Sequence, residues 1–225
     1  MTLPRAIILA EGVYGSTNGK TAHGIVRYSK RYEIVGVIDS EFSGMDAGYV
    51  LDGKTRNIPI FSNVEEALYL KPDILIIGAA TDGGYLPANY RPFILKAMLN
   101  GMNIVSGLHE FLSDDPEFSS MANIMGVQIT DVRKMFLKKQ EFFTGEIENV
   151  KAIKVAVLGT DSAIGKRTTT IMLTEALKDM GYSAIFVGTG QTGWMQGAEY
   201  CALISAFIMM VLKSILYRML RNLWT

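Results

Sequence analysis

A lysine that follows a glycine where a helix begins is a device for holding phosphate, and residues 155–170 have that arrangement. Val155-Ala156-Val157-Leu158 leads into Gly159-Thr160-Asp161-Ser162-Ala163-Ile164-Gly165-Lys166-Arg167-Thr168. The chemistry is anion capture. Backbone N–H groups of a small-residue loop curl around an oxyanion, the positive end of the following helix points at it, and Lys166 adds a mobile charge. The pattern departs from a full phosphate loop twice. The first glycine position holds Thr160, with Gly159 one residue earlier, and Arg167 stands where a magnesium-binding Ser or Thr belongs. Thr168 is next, but one step along a helix turns a side chain by roughly 100 degrees. A phosphate-bearing ligand is expected, with magnesium in doubt; the bland alternative is a Gly-rich strand-to-helix turn without a ligand.

These residues need a strand before them and a helix behind them. The β-branched run at 155–158 supplies the strand, and Met172, Leu173, Ala176, Leu177 and Met180 recur at helical spacing up to Gly181. Residues 184–187 read as the next strand and 188–193 as a polar turn. If both strands share one parallel sheet, the turn faces the phosphate loop, and Gln191 or Thr192 joins the same ligand. No acidic strand of the Walker B kind follows, so ordinary phosphate hydrolysis lacks a part it needs.

Upstream, residues 1–130 alternate strand-like and helix-like patterns. Strands are expected at 6–10, 34–39, 73–79, 103–106 and 127–129. Helices are expected from 22, after a Ser62–Glu65 capping box, at 91–100 and at 117–125, with a long loop over 40–57. Strands that are apolar throughout are buried on both faces, which means a parallel sheet covered by helices. The fold class is α/β: a Rossmann-like parallel-sheet domain over 1–130, a charged linker over 131–150 and the start of an incomplete P-loop α/β domain over 151–200. An atypical apolar tail fills 201–225.

Ligands of such a sheet collect at the carboxyl ends of its strands. The first turn carries Gly12, Gly15 and Gly19, which lack the G-x-G-x-x-G spacing of a dinucleotide fingerprint. Asn18-Gly19-Lys20-Thr21 is either a second anion loop or a solvated turn. Asp39 ends the second strand, where it meets a ribose hydroxyl, caps a helix or stays a surface charge. His109 follows a strand through Ser106-Gly107, a place for an acid or base or for a structural histidine, and His23 reads as packing. No cluster has metal-ligand spacing, so no metal site is expected.

The 225 residues carry 22 basic and 22 acidic side chains and are 49% hydrophobic. Balanced charge gives no footprint for nucleic acid, and the apolar fraction allows a sizeable core. One cysteine, Cys201, rules out an internal disulfide framework and fits a reducing compartment. The first apolar run is too short for a signal peptide, so a cytoplasmic protein is expected. The tail from Cys201 to Leu212 is apolar but too short to span a bilayer. It reads as a helix covering sheet or a partner subunit, next as an interfacial membrane helix, and otherwise as a non-native tail.

With Ser106-Gly107-Leu108-His109-Glu110-Phe111-Leu112 and the 159–166 loop in view, the chain resembles DgcN-like proteins. That family was formerly filed as a domain of unknown function and includes D-glutamate N-acetyltransferases. Lys20-Thr21-Ala22-His23-Gly24, Gly36-Val37-Ile38-Asp39-Ser40, Asp131-Val132-Arg133-Lys134 and Gly190-Gln191-Thr192-Gly193 also match. The resemblance implies acetyl transfer from acetyl-CoA to a D-amino acid, with a P-loop holding the cofactor's diphosphate and Asp161 or His109 as base. It also implies that family members run on for over a hundred residues, so that a truncated or frame-altered member is expected. The phosphate loop alone is similar to that of dethiobiotin synthetase, so an ATP-binding protein or ligase is the alternative, and a non-catalytic scaffold a further one. A small-molecule substrate and a homo-oligomer are the expected partners.

Overall fold

The computed structural model describes residues 2–137, 149–160 and 164–202. Six parallel strands form one sheet: β1 (Arg5–Leu9), β2 (Glu33–Ile38), β3 (Ile60–Phe61), β4 (Ile74–Ile77), β5 (Asn103–Ser106) and β6 (Ile129–Asp131), in the order β3-β2-β1-β4-β5-β6. Burial on both faces explains the unbroken apolar runs. In β1 and β4, Ile7, Leu9, Leu75 and Ile77 enter one core, while Ala6, Ile8, Ile74 and Ile76 enter the other. Strand order reverses between β1 and β4, the Rossmann-type switch point.

The helices of this domain are α1 (Lys20–Arg27), α2 (Ala47–Asp52), α3 (Val64–Ala67), α4 (Arg91–Leu99), α5 (Pro116–Met125) and α6 (Val132–Leu137). Their ends follow local chemistry. Asp115 accepts from the Glu117 and Phe118 N–H groups ahead of Pro116, and Gly126 closes α5 in the left-handed region. The expected capping box sits one residue later: Asn63 accepts from Glu66 N, and Glu66 reaches back to the Ser62 N–H. The 40–57 stretch is not all loop. Asp46 caps α2 through Tyr49 N and also binds Arg56 N and Ile58 N, folding the segment around one carboxylate. Strand β6 lies two residues beyond its expected place, and β3 was not expected, being only two residues long.

The C-terminal unit departs further from expectation. Helix α7 (Lys166–Asp179) forms, but residues 153–159 carry no regular structure, with Ile153 94% exposed and Val155 and Leu158 also exposed. A parallel strand needs a covered face and neighbours. Among the described residues this unit has only β7 (Val187–Thr189) paired in parallel with β8 (Tyr200–Ala202), so 155–158 has no sheet face to bury against. Strand β7 also starts at Val187, where the sequence suggested a strand ending. The expected polar turn is in part a short helix, α8 (Gln191–Met195). The tail reading falls on residues outside those described, apart from Cys201 and Ala202 in β8. Among the described residues no helix is long and apolar enough to cross a membrane.

Candidate anion-binding site at the domain junction

Helix α8 holds the two units together. Met195 is fully buried in the core beneath α1, with Ala22, Ile25, Val105 and Val132. Gln196 donates from Nε2 to Gly24 O at 2.6 Å and Tyr28 O at 3.3 Å, and its own carbonyl accepts from Lys30 N at 2.9 Å. Arg31 donates to Trp194 O at 2.7 Å and stacks 4.1 Å from the Trp194 ring centroid. Beyond α8, Glu175 on α7 accepts from Lys30 Nζ at 2.8 Å and Tyr28 OH at 3.2 Å.

This docking redirects the residues expected at the phosphate loop. Gln191 and Thr192 meet the first domain: the Gln191 side chain lies over Gly107, just past β5, and Thr192 Oγ1 is 3.5 Å from Thr21 Oγ1 at the start of α1. Among the described residues no sheet joins 155–158 to β7, and the one approach to the loop's end is Thr192 near Arg167. In the loop itself, Gly165 has φ +91°, a left-handed conformation that glycine adopts without strain, and it precedes Lys166 at the start of α7. Ile164 and Lys166 fold their side chains over Gly159, where a Cβ would lie 2.3 Å from Ile164 Cδ1. Thr160 and Ile164 flank the gap, and Asp161, Ser162 and Ala163 lie outside the described residues. Thr168 is half-buried in the first turn of α7, and Thr170 hydrogen-bonds back to Lys166 O.

Arg167 turns away from the loop. Its Nη2 lies 2.9 Å from the place a Cβ would take on Gly24, beside Thr192 and Gln196. Burial alone pulls its pKa below the ordinary guanidinium value. Arg133, which reads from sequence as linker charge, opens α6 and donates from Nε to Gly107 O at 2.9 Å, with its pKa likewise lowered by burial. Gln196 Oε1 is buried without a hydrogen-bond partner among the described residues. Gly24, Gly107 and Gly197 gave the only legible signal for this junction, since each lets another segment come close.

The other expected site residues separate from this cluster. Asp39 is 0% exposed and its two carboxylate oxygens accept from Tyr14 N and Glu41 N, each at 3.0 Å, so the cap reading is the one the geometry matches. The switch-point crevice beside it is laced by Ala22 N to Gly78 O at 3.0 Å and Ala80 N to Asn18 O at 2.7 Å, and Tyr14 is buried behind it. His23 binds Tyr14 O at 2.5 Å through Nε2, and burial lowers its pKa, so it is a neutral donor in packing. His109 is exposed over Gly84, and its ring makes no hydrogen bond among the described residues. Among those residues no group of His, Cys, Asp or Glu is placed to hold a metal.

The fold defines a class: a Rossmann-like sheet followed by a glycine-lysine loop that opens a helix. Family models match both parts, a "Domain of unknown function (DUF1611_N) Rossmann-like domain" over residues 40–135 and a "Domain of unknown function (DUF1611_C) P-loop domain" over 141–225. The chain belongs to this DUF1611 family. A crystal structure of a DUF1611 family protein from Anabaena variabilis is 34% identical at a TM-score of 0.79, covering 88% of this chain and 57% of that one. Two relatives are named D-glutamate N-acetyltransferase. One, from a Pseudoalteromonas species, is 34% identical over 57% of this chain and 38% of its own length. The other, from Tritonibacter scottomollicae, is 27% identical over 64% of this chain and 44% of its own length. The matches thus span less than half the length of these curated relatives.

Proposed function

We propose that this chain takes part in N-acetyl transfer to an acidic D-amino acid such as D-glutamate, with the 159–168 loop holding acetyl-CoA by its diphosphate. The observation that carries the reading is the left-handed Gly165 ahead of Lys166, which opens a 14-residue helix toward the loop. Such a helix start suits an anion held without hydrolysis. Acetyl-CoA, when bound, supplies the activated acetyl group. This chain's part is to hold the diphosphate with loop amides and Lys166, to accept the amine's proton, and to keep donors near the developing oxyanion. The exposed imidazole of His109 suits the proton, as does Asp161 in the loop. Arg167 stands where the magnesium-binding Ser or Thr belongs, and a guanidinium offers a metal no lone pair, which suits a phosphate site that works without one.

The Gly159-Thr160-Asp161 start of the loop favours a second reading, an ATP-binding protein similar to dethiobiotin synthetase. Calorimetric titration separates the two. Saturable heat with acetyl-CoA that is lost in Lys166→Ala, together with CoA release on adding D-glutamate, is the expected result. Heat with Mg-ATP alone selects the second reading. Silence with both ligands removes both and leaves a scaffold.

A further inference from the structure

His109 is exposed and its ring makes no hydrogen bond among the described residues, so no bond of its own holds the ring in place. Keeping an exposed side chain still costs conformational entropy. Yet a floor is built beneath this one. Gly83 and Gly84 pass in succession through the left-handed region, at φ +65° and +75°. The imidazole lies so close on Gly84 that a Cβ there would stand 2.3 Å from His109 Cδ2. Gly84 O also accepts the N–H groups of His109 at 2.9 Å and Glu110 at 3.3 Å. Any side chain at 84 would meet both the backbone penalty and the ring.

The turn that carries this floor is closed by bonds of its own, Thr81 Oγ1 to Tyr85 O at 2.6 Å and Gly84 N to Thr81 O at 3.0 Å. Glu110 ties it to the segment after β5: its Oε2 accepts from Leu86 N at 2.7 Å, a charge-assisted length. The near flank of that segment is fixed as well. Leu108 is buried and its N–H donates to Ser106 Oγ at 3.2 Å, and Gly107 meets the Gln191 side chain of α8. Strands β4 and β5 pair in the sheet, so turn and segment stand together at the carboxyl edge where ligands of such sheets collect. An imidazole seated there, with its ring nitrogens unengaged among the described residues, is a group prepared for proton transfer.

We propose that Glu110 is the positioning residue for His109: its carboxylate holds the 81–86 turn in place, and Gly84 of that turn seats the imidazole for proton transfer. The imidazole accepts the proton that the acceptor amine loses as its nitrogen bonds to the acetyl carbon, and returns it to the CoA sulfur as the carbon–sulfur bond breaks. The proton transfer rests on the acetyl-transfer reading; the seating of the ring does not. Two measurements on the full chain test them apart. The first is the nuclear Overhauser contact between the His109 ring and the Gly84 α-hydrogens. It should be present in the parent, lost in Glu110→Ala and Gly84→Ala, and kept in Glu110→Gln, which retains an acceptor oxygen. The second is acetyl transfer to D-glutamate, followed by CoA release. His109→Ala should lower kcat by about a hundredfold or more. Glu110→Ala should lower it by roughly tenfold to a hundredfold, the cost of a misplaced group, with KM for acetyl-CoA unchanged and Glu110→Gln nearer the parent. A ring contact absent from the parent, or one that survives Glu110→Ala, overturns the proposal, as does an unchanged kcat in Glu110→Ala or His109→Ala. A Glu110-dependent ring contact in a chain that transfers no acetyl group would keep the seat and remove the acetyl-transfer reading.

Discussion

Replacing Asp39 by alanine decides whether an acidic residue at the end of β2 braces the fold or meets a ligand. Its side chain is wholly buried and accepts two backbone N–H groups, from Tyr14 in the β1–α1 turn and from Glu41 beyond β2. Alanine leaves both donors without an acceptor. A buried donor left so costs about 1–3 kcal/mol. Tyr14 N takes the full penalty, while Glu41 N is only partly shielded, so the total is about 2–4 kcal/mol. At a urea dependence of roughly 2 kcal/mol per molar, the unfolding midpoint falls by about 1–2 M. Asp39→Asn keeps one acceptor oxygen and should fall between parent and alanine. The assay is urea unfolding followed by tryptophan fluorescence, with acetyl-CoA and Mg-ATP titrations on the same proteins. A midpoint within about 0.3 M of the parent, accompanied by lost cofactor affinity, would refute the brace and return Asp39 to a ligand.

Met195→Ala should destabilise by about 2–5 kcal/mol, because a fully buried side chain from α8 leaves a cavity in the core beneath α1; amide hydrogen exchange should then rise together in α1 and α8, and a change confined to α8 would show that it is not the clamp. His23 predicts a pH dependence. Burial holds its folded-state pKa below the ordinary 6.5, so the unfolded chain takes up the proton first. Stability from this group is complete above that value and is lost as the pH falls below it. Asp52, held at about 2 by Arg56, loses its share only in far more acid solution. His23→Gln should flatten the stability curve just below pH 6.5, and an unchanged slope would show that another group titrates there.

Much of this protein is written locally. The runs at 6–10, 34–39, 73–79 and 103–106 announce buried parallel strands because each residue must be apolar when both faces are covered. Gly165-Lys166 and the following periodicity announce α7 because helix starts and amphipathic faces repeat at short range. Placement across the chain was not legible. Asp39 looks the same in sequence whether it binds ribose or caps a turn, since the choice depends on where Tyr14 N lies. Arg133 and Arg167 look like linker and loop charges until α8 is docked on α1. Gln191 and Thr192 were expected beside residues 159–168 on the premise of a shared sheet; in the structure both meet the first domain, at Gly107 and Thr21, and Thr192 lies near Arg167. Hydrogen-bonding pattern and hydrophobic period are properties of neighbouring residues, so the sequence alone determined the four inner strands β1, β2, β4 and β5 and the helix α7. Which surfaces α8 buries follows from contacts between segments more than a hundred residues apart, and only the tertiary structure decided it.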